Sequence, residues 1–199
     1  MTAINTNLDK ICAQYGMELL SLPERLYDEV NELIEGSNSK DEFIGKNYDQ
    51  SNWEQPLKDF FAFKLVDPLK DLKSKLNSTK DSDKAYQRLK KEKLSFSPET
   101  FETEITKAIS ILVEDGPFAY MIWLKSQDKE PHRTMLIQTA RLLNLLYLSE
   151  IDTNDDLKAK IEEEFLNIAE DITKTLFIKT VIERMLIYAR YKAKAMQHK

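Results

Sequence analysis

Apolar residues recur along this chain at intervals of three and four, with polar residues filling the gaps. In NLDKICAQYGMELLSL, Leu8, Ile11, Cys12, Tyr15 and Leu19 fall on one helical face. Pro23 then opens PERLYDEVNELIEG, where Leu26, Val30, Leu33 and Ile34 form a stripe ending at Gly36. The pattern predicts two acidic-faced helices, with Gly36 just past the second in a left-handed conformation. From Ser37 to Ser51 turn formers dominate without a sustained period, which predicts a connection. Trp53 to Leu76 resumes the helical spacing, with Pro68 breaking or starting a helix inside it. Asn77 to Ser97 is the least hydrophobic stretch and reads as a linker or mobile loop. A domain boundary is therefore expected near residue 95, giving segments 1–95 and 96–199.

Beyond that boundary the punctuation sharpens. Ser97 and Pro98 form an N-cap and first-turn pair, and Phe101, Ile105, Ala108, Ile109 and Leu112 share the face of the helix that follows. That helix is expected to stop at Gly116, whose freedom at positive φ suits a tight corner. Asp115 is expected to cap the next helix, with Pro117 in its first turn and Phe118, Met121, Ile122 and Leu124 on its apolar face. HRTMLIQTARLLNLLYL is apolar almost all round, as a helix at the centre of a bundle would be. Thr153 is expected to cap the amphipathic DDLKAKIEEEFLNIAED. A last helix, roughly 174–196, presents Ile178, Ile182, Met185, Leu186 and Ala189 to the core. The expected fold is all-α: a bundle of about five helices in the C-terminal half, able to fold alone, with an N-terminal helical extension.

Composition narrows the picture. The 199 residues include only four glycines and six prolines and are 42% hydrophobic, enough for one substantial core built of long helices. The net charge of −5 argues against indiscriminate coating of nucleic acid, but the charge is uneven. Residues 1–50 carry four basic and ten acidic side chains, whereas residues 178–199 carry six basic and one acidic. A lone cysteine, Cys12, excludes an intramolecular disulfide and a cysteine zinc cluster. Without a secretion signal or an apolar run of membrane-spanning length, a soluble cytoplasmic protein is expected.

Catalytic chemistry is sparse. The two histidines are His132, in a proline-flanked turn, and His198, at the frayed end, and no Glu-x-x-His pair supplies a di-metal bundle. Glycine-rich phosphate loops, nucleophile elbows and Cys/His arrangements are absent from the sequence. Glu162, Glu163 and Glu164 point in different directions around a helix, which suits a solvated face. The expectation is a protein that is not an enzyme and needs no metal or cofactor.

The last helix carries the clearest candidate site. Arg184, Tyr188 and Tyr191 align at i, i+4 and i+7, and Lys179, Arg190 and Lys194 form a second basic stripe broken by Glu183. Such cations neutralise phosphates, and the tyrosine rings stack on bases or riboses. The alternative is purely structural, because basic residues near a helix C-terminus complement its dipole. A second basic cluster, Lys84, Arg88, Lys90, Lys91 and Lys93, reads either as a solvated charge run or as a flexible phosphate-binding arm.

The helix ending in SILVEDG, the glycine corner, the aromatic FAYMIWLKS, the Leu-rich helix and the closing IERMLIYARYKAKAM together resemble the small helical subunit of Cmr-type (type III-B) CRISPR effector complexes. The similarity covers Phe101 to Gln197. It rests on Gly116, on Phe118 to Leu124 with Lys125 and Ser126, and on the final helix around Arg184 to Lys194. Pro117 departs from the apolar residue expected after the glycine, and the first hundred residues have no counterpart. The resemblance implies a non-catalytic subunit that packs on repeated backbone subunits and runs beside guide and target RNA. Two other classes fit the same pattern. One is a ligand-sensing or regulatory domain lined by Phe118, Tyr120, Trp123 and Tyr147. The other is a protein adaptor, open to self-association, that docks through ERLYDEVNELIE without nucleic acid.

Overall fold

The computed structural model describes residues 7–146, the backbone of residue 147, and residues 157–198. Among the described residues there are ten helices and no strand. The helices are α1 (Leu8–Glu35), α2 (Lys40–Gly45), α3 (Gln55–Ala62), α4 (Pro68–Ser78), α5 (Ser82–Glu92), α6 (Pro98–Glu114), α7 (Gly116–Ser126), α8 (Glu130–Tyr147), α9 (Leu157–Ala169) and α10 (Ile172–Gln197). The chain divides into two compact units, residues 1–21 with 97–199, and residues 22–96.

The division at Phe96/Ser97 falls near the expected boundary, but the beginning of the chain groups with its C-terminal part. The reason is the packing of α1. Cys12 and Leu19 are fully buried, and the Cys12 thiol lies 3.6 Å from the Val181 carbonyl oxygen of α10. At Gly16 the two helices approach so closely that an added Cβ would overlap the Met185 carbonyl and sit 2.8 Å from the Tyr188 Cβ. Glu18 pairs with Arg141 of α8 at 2.8 Å, with side chains only 13% and 10% exposed. The first unit thus takes a helical segment from the start of the chain in addition to the five helices after Pro98.

Within that unit α10 packs chiefly along α6, while α7, α8 and α9 complete the core. Ile178, Ile182, Met185, Leu186 and Ala189 of α10 are all fully buried, as their spacing predicts. From Thr134 to Ala140, α8 is buried on every face. Ser97 caps α6 by accepting from the Thr100 amide at 3.3 Å, and Gly116 has φ +89° at the α6–α7 corner. Asp115 does not cap α7 with its side chain. It extends the end of α6 instead, donating its amide to the Ile111 carbonyl at 2.8 Å. Thr153 lies outside the described residues.

The second unit corrects four expectations. Pro23 does not separate two helices: α1 runs through it, because Leu22 and Leu26 on either side are both buried and hold the backbone helical. The expected connection after Gly36 contains α2, capped by Ser39 and anchored by fully buried Phe43. The expected linker contains α5, whose Tyr86 is 1% exposed, stacks on Phe43 at 5.8 Å, and places its hydroxyl 3.2 Å from Ile34 O and 3.1 Å from Ser37 O. With Ala85 and Leu89 packed partly buried beside it, this aromatic anchor docks an otherwise polar helix. Pro68 starts α4, behind an Asp67 cap that accepts from the Lys70 amide at 2.9 Å. Gly36 is not left-handed; its amide continues the helix by donating to Glu32 O at 2.9 Å.

Candidate nucleic-acid interface

Four of the six candidate residues on α10 are engaged inside the first unit. The Lys179 ammonium donates to the Val113 carbonyl at 2.8 Å, closing the C-terminal end of α6. Tyr188 donates its hydroxyl proton to Asp9 Oδ2 at 2.8 Å, a bond that raises the phenol's pKa, and Arg184 stands 3.9 Å from the same carboxylate. Arg190 pairs with Glu102 of α6 at 3.6 Å. These side chains flank the apolar face, so they meet whatever polar residues border the helices packed against it. The partners Asp9 and Glu102 are what sequence reasoning missed. The excess of acidic residues in the first fifty was a signal, but pairing depends on a helix–helix register that spacing alone does not give.

Tyr191 and Lys194 stand apart. Tyr191 is 65% exposed, Lys194 is exposed, and one turn of helix separates them. The structure therefore brings together a two-residue cationic and aromatic end rather than a six-residue strip. Gly116 and Pro117 form the corner, with Pro117 buried in the first turn of α7.

The second basic cluster is not a flexible arm. On α5, Lys84 pairs with Asp81 at 2.6 Å, and Lys90 donates to Ser37 O at 2.7 Å. Lys93, just past the helix, pairs with Glu35 at 2.6 Å. Arg88 and Lys91 are exposed on the same helix.

Two of the four aromatics offered as a sensor lining, Tyr120 and Trp123, are packed against α8. Tyr120 is fully buried with its hydroxyl 3.1 Å from Thr139 Oγ1, and Trp123 meets the His132 ring edge-on at 4.6 Å. The side chain of Tyr147 lies outside the described residues. The adaptor segment is committed as well, since Leu26, Val30 and Ile34 are buried in the second unit.

His132 lies in the first turn of α8, not in an open turn, and is fully buried. Its Nε2 is 3.3 Å from Glu104 Oε2, while Lys107 and Lys129 reach Glu104 Oε1 at 3.1 and 3.3 Å. Burial depresses the histidine's pKa despite the neighbouring carboxylate. Burial also works to raise that of Glu104, but the two lysines outweigh it and hold the carboxyl below its ordinary value. Among the described residues no group of three or more His, Cys, Asp or Glu side chains is placed to hold a metal ion, and no helix is long and apolar enough to cross a membrane.

Two surface features were not legible in the sequence. Leu166, Ile172 and Leu176 are each at least half exposed around the α9–α10 corner. The second unit also holds a cleft of about 390 Å³ bordered by Tyr48, Phe61, Lys70 and Lys73. Compared with family models, curated proteins and solved structures, the chain finds no match.

Proposed function

We propose that this chain is a non-catalytic small subunit of a type III CRISPR-like, RNA-guided effector complex, with its RNA contact concentrated at Tyr191 and Lys194. The observation that carries this reading is the contrast along α10. Lys179, Arg184 and Arg190 are neutralised or capped internally, while its last turns project a cation beside an exposed aromatic ring. That pairing suits one phosphate and one stacked base, a small contribution that matters when a backbone of other subunits supplies the rest. The five helices after Pro98 serve as the body that packs on those subunits, and the N-terminal helices extend it. The Phe101–Gln197 resemblance supports the same assignment.

The test is RNA binding by the assembled complex across a salt series. Lys194→Glu with Tyr191→Ala should weaken binding and shallow the salt dependence by somewhat under about one unit of slope, with assembly unchanged. Unchanged affinity and slope would remove the RNA contact. Arg190 is unsuited to this test, because reversing its charge sets it against Glu102 and disturbs α6 packing.

A second reading, a protein adaptor working without nucleic acid, is favoured by the exposed Leu166, Ile172 and Leu176. It is distinguished by co-purification of partners that survives nuclease and is lost in Leu176→Lys.

A further inference from the structure

The cleft of the second unit combines three kinds of chemistry. Tyr48 and Phe61 meet at 5.4 Å and 81°, and Trp53 touches both, at 5.4 and 5.5 Å. Trp53 is itself fixed by donating its indole N–H to Glu29 at 3.1 Å. Because the three rings hold one another, Tyr48 and Phe61, the two that line the cleft, present a preset aromatic wall, which costs little entropy to use.

The cationic side is Lys70 and Lys73. An ammonium has three donors, and Lys73 spends two of them, on Lys46 O and on Asn47 Oδ1 at 3.4 Å. Desolvation depresses the pKa of Lys73, and a phosphate oxygen on its third donor would restore the lost stabilisation of charge. The helix start of α4 does not compete for that role. Its amides are taken, Leu69 N–H by Tyr48 Oη at 3.2 Å and Lys70 N–H by Asp67 Oδ1 at 2.9 Å. Asp67 also offsets one lysine, leaving the cleft with a net single positive charge. The side-chain amides of Asn47 and Gln50 complete the lining with both donors and acceptors.

We propose that this cleft binds a nucleotide unit: the base lies against Tyr48 and Phe61, its edge meets Asn47 and Gln50, and its phosphate sits on Lys70 and Lys73. An aliphatic acid would leave the aromatic wall unused, and an uncharged ring would leave the lysines unsatisfied. A polyphosphate would add further negative charge with no additional lysine in the lining to meet it. The volume falls within the ordinary range for small-molecule sites, about 300–1,000 Å³. The site belongs to the second unit and does not rest on the α10 reading. The shared chemistry is a base with one phosphate, supplied either as a free mononucleotide or within an RNA strand.

The protein contains two tryptophans, so Trp123→Phe in the full chain leaves Trp53, packed against Tyr48 and Phe61, as the sole tryptophan, excited selectively over the tyrosines. AMP titrated to about 5 mM should give a saturable change in Trp53 emission, with adenosine and ribose 5-phosphate each binding at least about tenfold more weakly. Lys73→Met and Lys70→Glu should each weaken AMP binding about tenfold, whereas Lys194→Glu should not change it. Circular dichroism checks that each variant keeps its helices; if Lys73→Met does not, Asn47→Ala takes its place and must show the loss. A 5′-phosphorylated oligoadenylate that binds more tightly than AMP identifies a strand as the source, and one that binds more weakly identifies the free nucleotide. Absence of a saturable change with both AMP and the oligoadenylate, or AMP binding that survives the lysine replacements, overturns the proposal.

Discussion

His132 Nε2 stands 3.3 Å from Glu104 Oε2, joining the first turn of α8 to α6 inside the first unit, where neither side chain is more than 8% exposed. Burial keeps the imidazole neutral, so its native pKa lies below the value of about 6.5 that it regains on unfolding. Between those two values the unfolded state binds more protons, so stability falls as pH drops through that window. The urea midpoint should decrease from about pH 7.5 to about pH 5.5, and His132→Gln should reduce that decrease. Glu104, held below its ordinary pKa, adds a second loss that sets in only below about pH 4.5. An equal midpoint shift in His132→Gln would assign the acid sensitivity to other groups.

Gly16 marks the closest approach of α1 to α10, and the obstacle there is backbone: the Met185 carbonyl and, at 3.0 Å, the Ala189 amide nitrogen. A single methyl group must push the helices apart. Gly16→Ala is expected to cost about 1–3 kcal/mol despite alanine's better helix propensity. Gly45→Ala, where nothing lies within 4 Å, should be neutral or stabilise by up to about 1 kcal/mol. Equal melting temperatures for the two variants would show that α1 does not seat against α10 in this way.

The contrast between those glycines shows where sequence pattern stops being informative. Periodicity located the buried faces of α6, α8 and α10 because each is long and strongly apolar on its core side. It failed at α5, where Tyr86 is the one fully buried anchor and only Ala85 and Leu89 pack beside it, and at Pro23, where flanking leucines override a helix breaker. On α10, spacing correctly placed Lys179, Arg184, Tyr188 and Arg190 beside the apolar face. Their partners Asp9, Val113 and Glu102 are between 66 and 179 residues away or across a helix pair, beyond the reach of local spacing. The cleft at Tyr48 and Lys73 was hidden for a related reason: its residues come from a loop and two helices that share no period.

Gly116 and Gly36 separate conformational strain from steric strain. Gly116 has φ +89°, and nothing lies within 4 Å of where a Cβ would stand, so substitution there is penalised by the backbone alone. Gly36 keeps a negative φ, and an added Cβ would lie 3.2 Å from Glu32 O at the end of α1. Gly116→Val should therefore destabilise by about 1–3 kcal/mol, more than Gly36→Val. Chemical denaturation of the two variants measures the difference, and a larger loss at Gly36 would show that the α6–α7 corner tolerates a side chain.

The grouping of the first residues with the C-terminal helices makes a prediction about truncation. A chain of residues 97–199 lacks Cys12 and Leu19 from its core and leaves Arg141, only 10% exposed, without the Glu18 carboxylate 2.8 Å away. Gln138 Oε1, at 2.9 Å, accepts one hydrogen bond from that guanidinium but cannot neutralise it, and the Tyr15 ring that lies 5.2 Å beneath it is lost as well. Breaking a buried pair from one side costs about 3–5 kcal/mol, comparable to the whole stability of a small domain. The truncated chain is expected to melt without a cooperative transition. A peptide of residues 1–21 added in excess should restore cooperativity, since it returns the carboxylate, the ring and the apolar face together, and the same peptide with Glu18→Gln should restore it less. A truncated chain that melts as sharply as the full protein would mean that the helices after Pro98 form a complete core without α1.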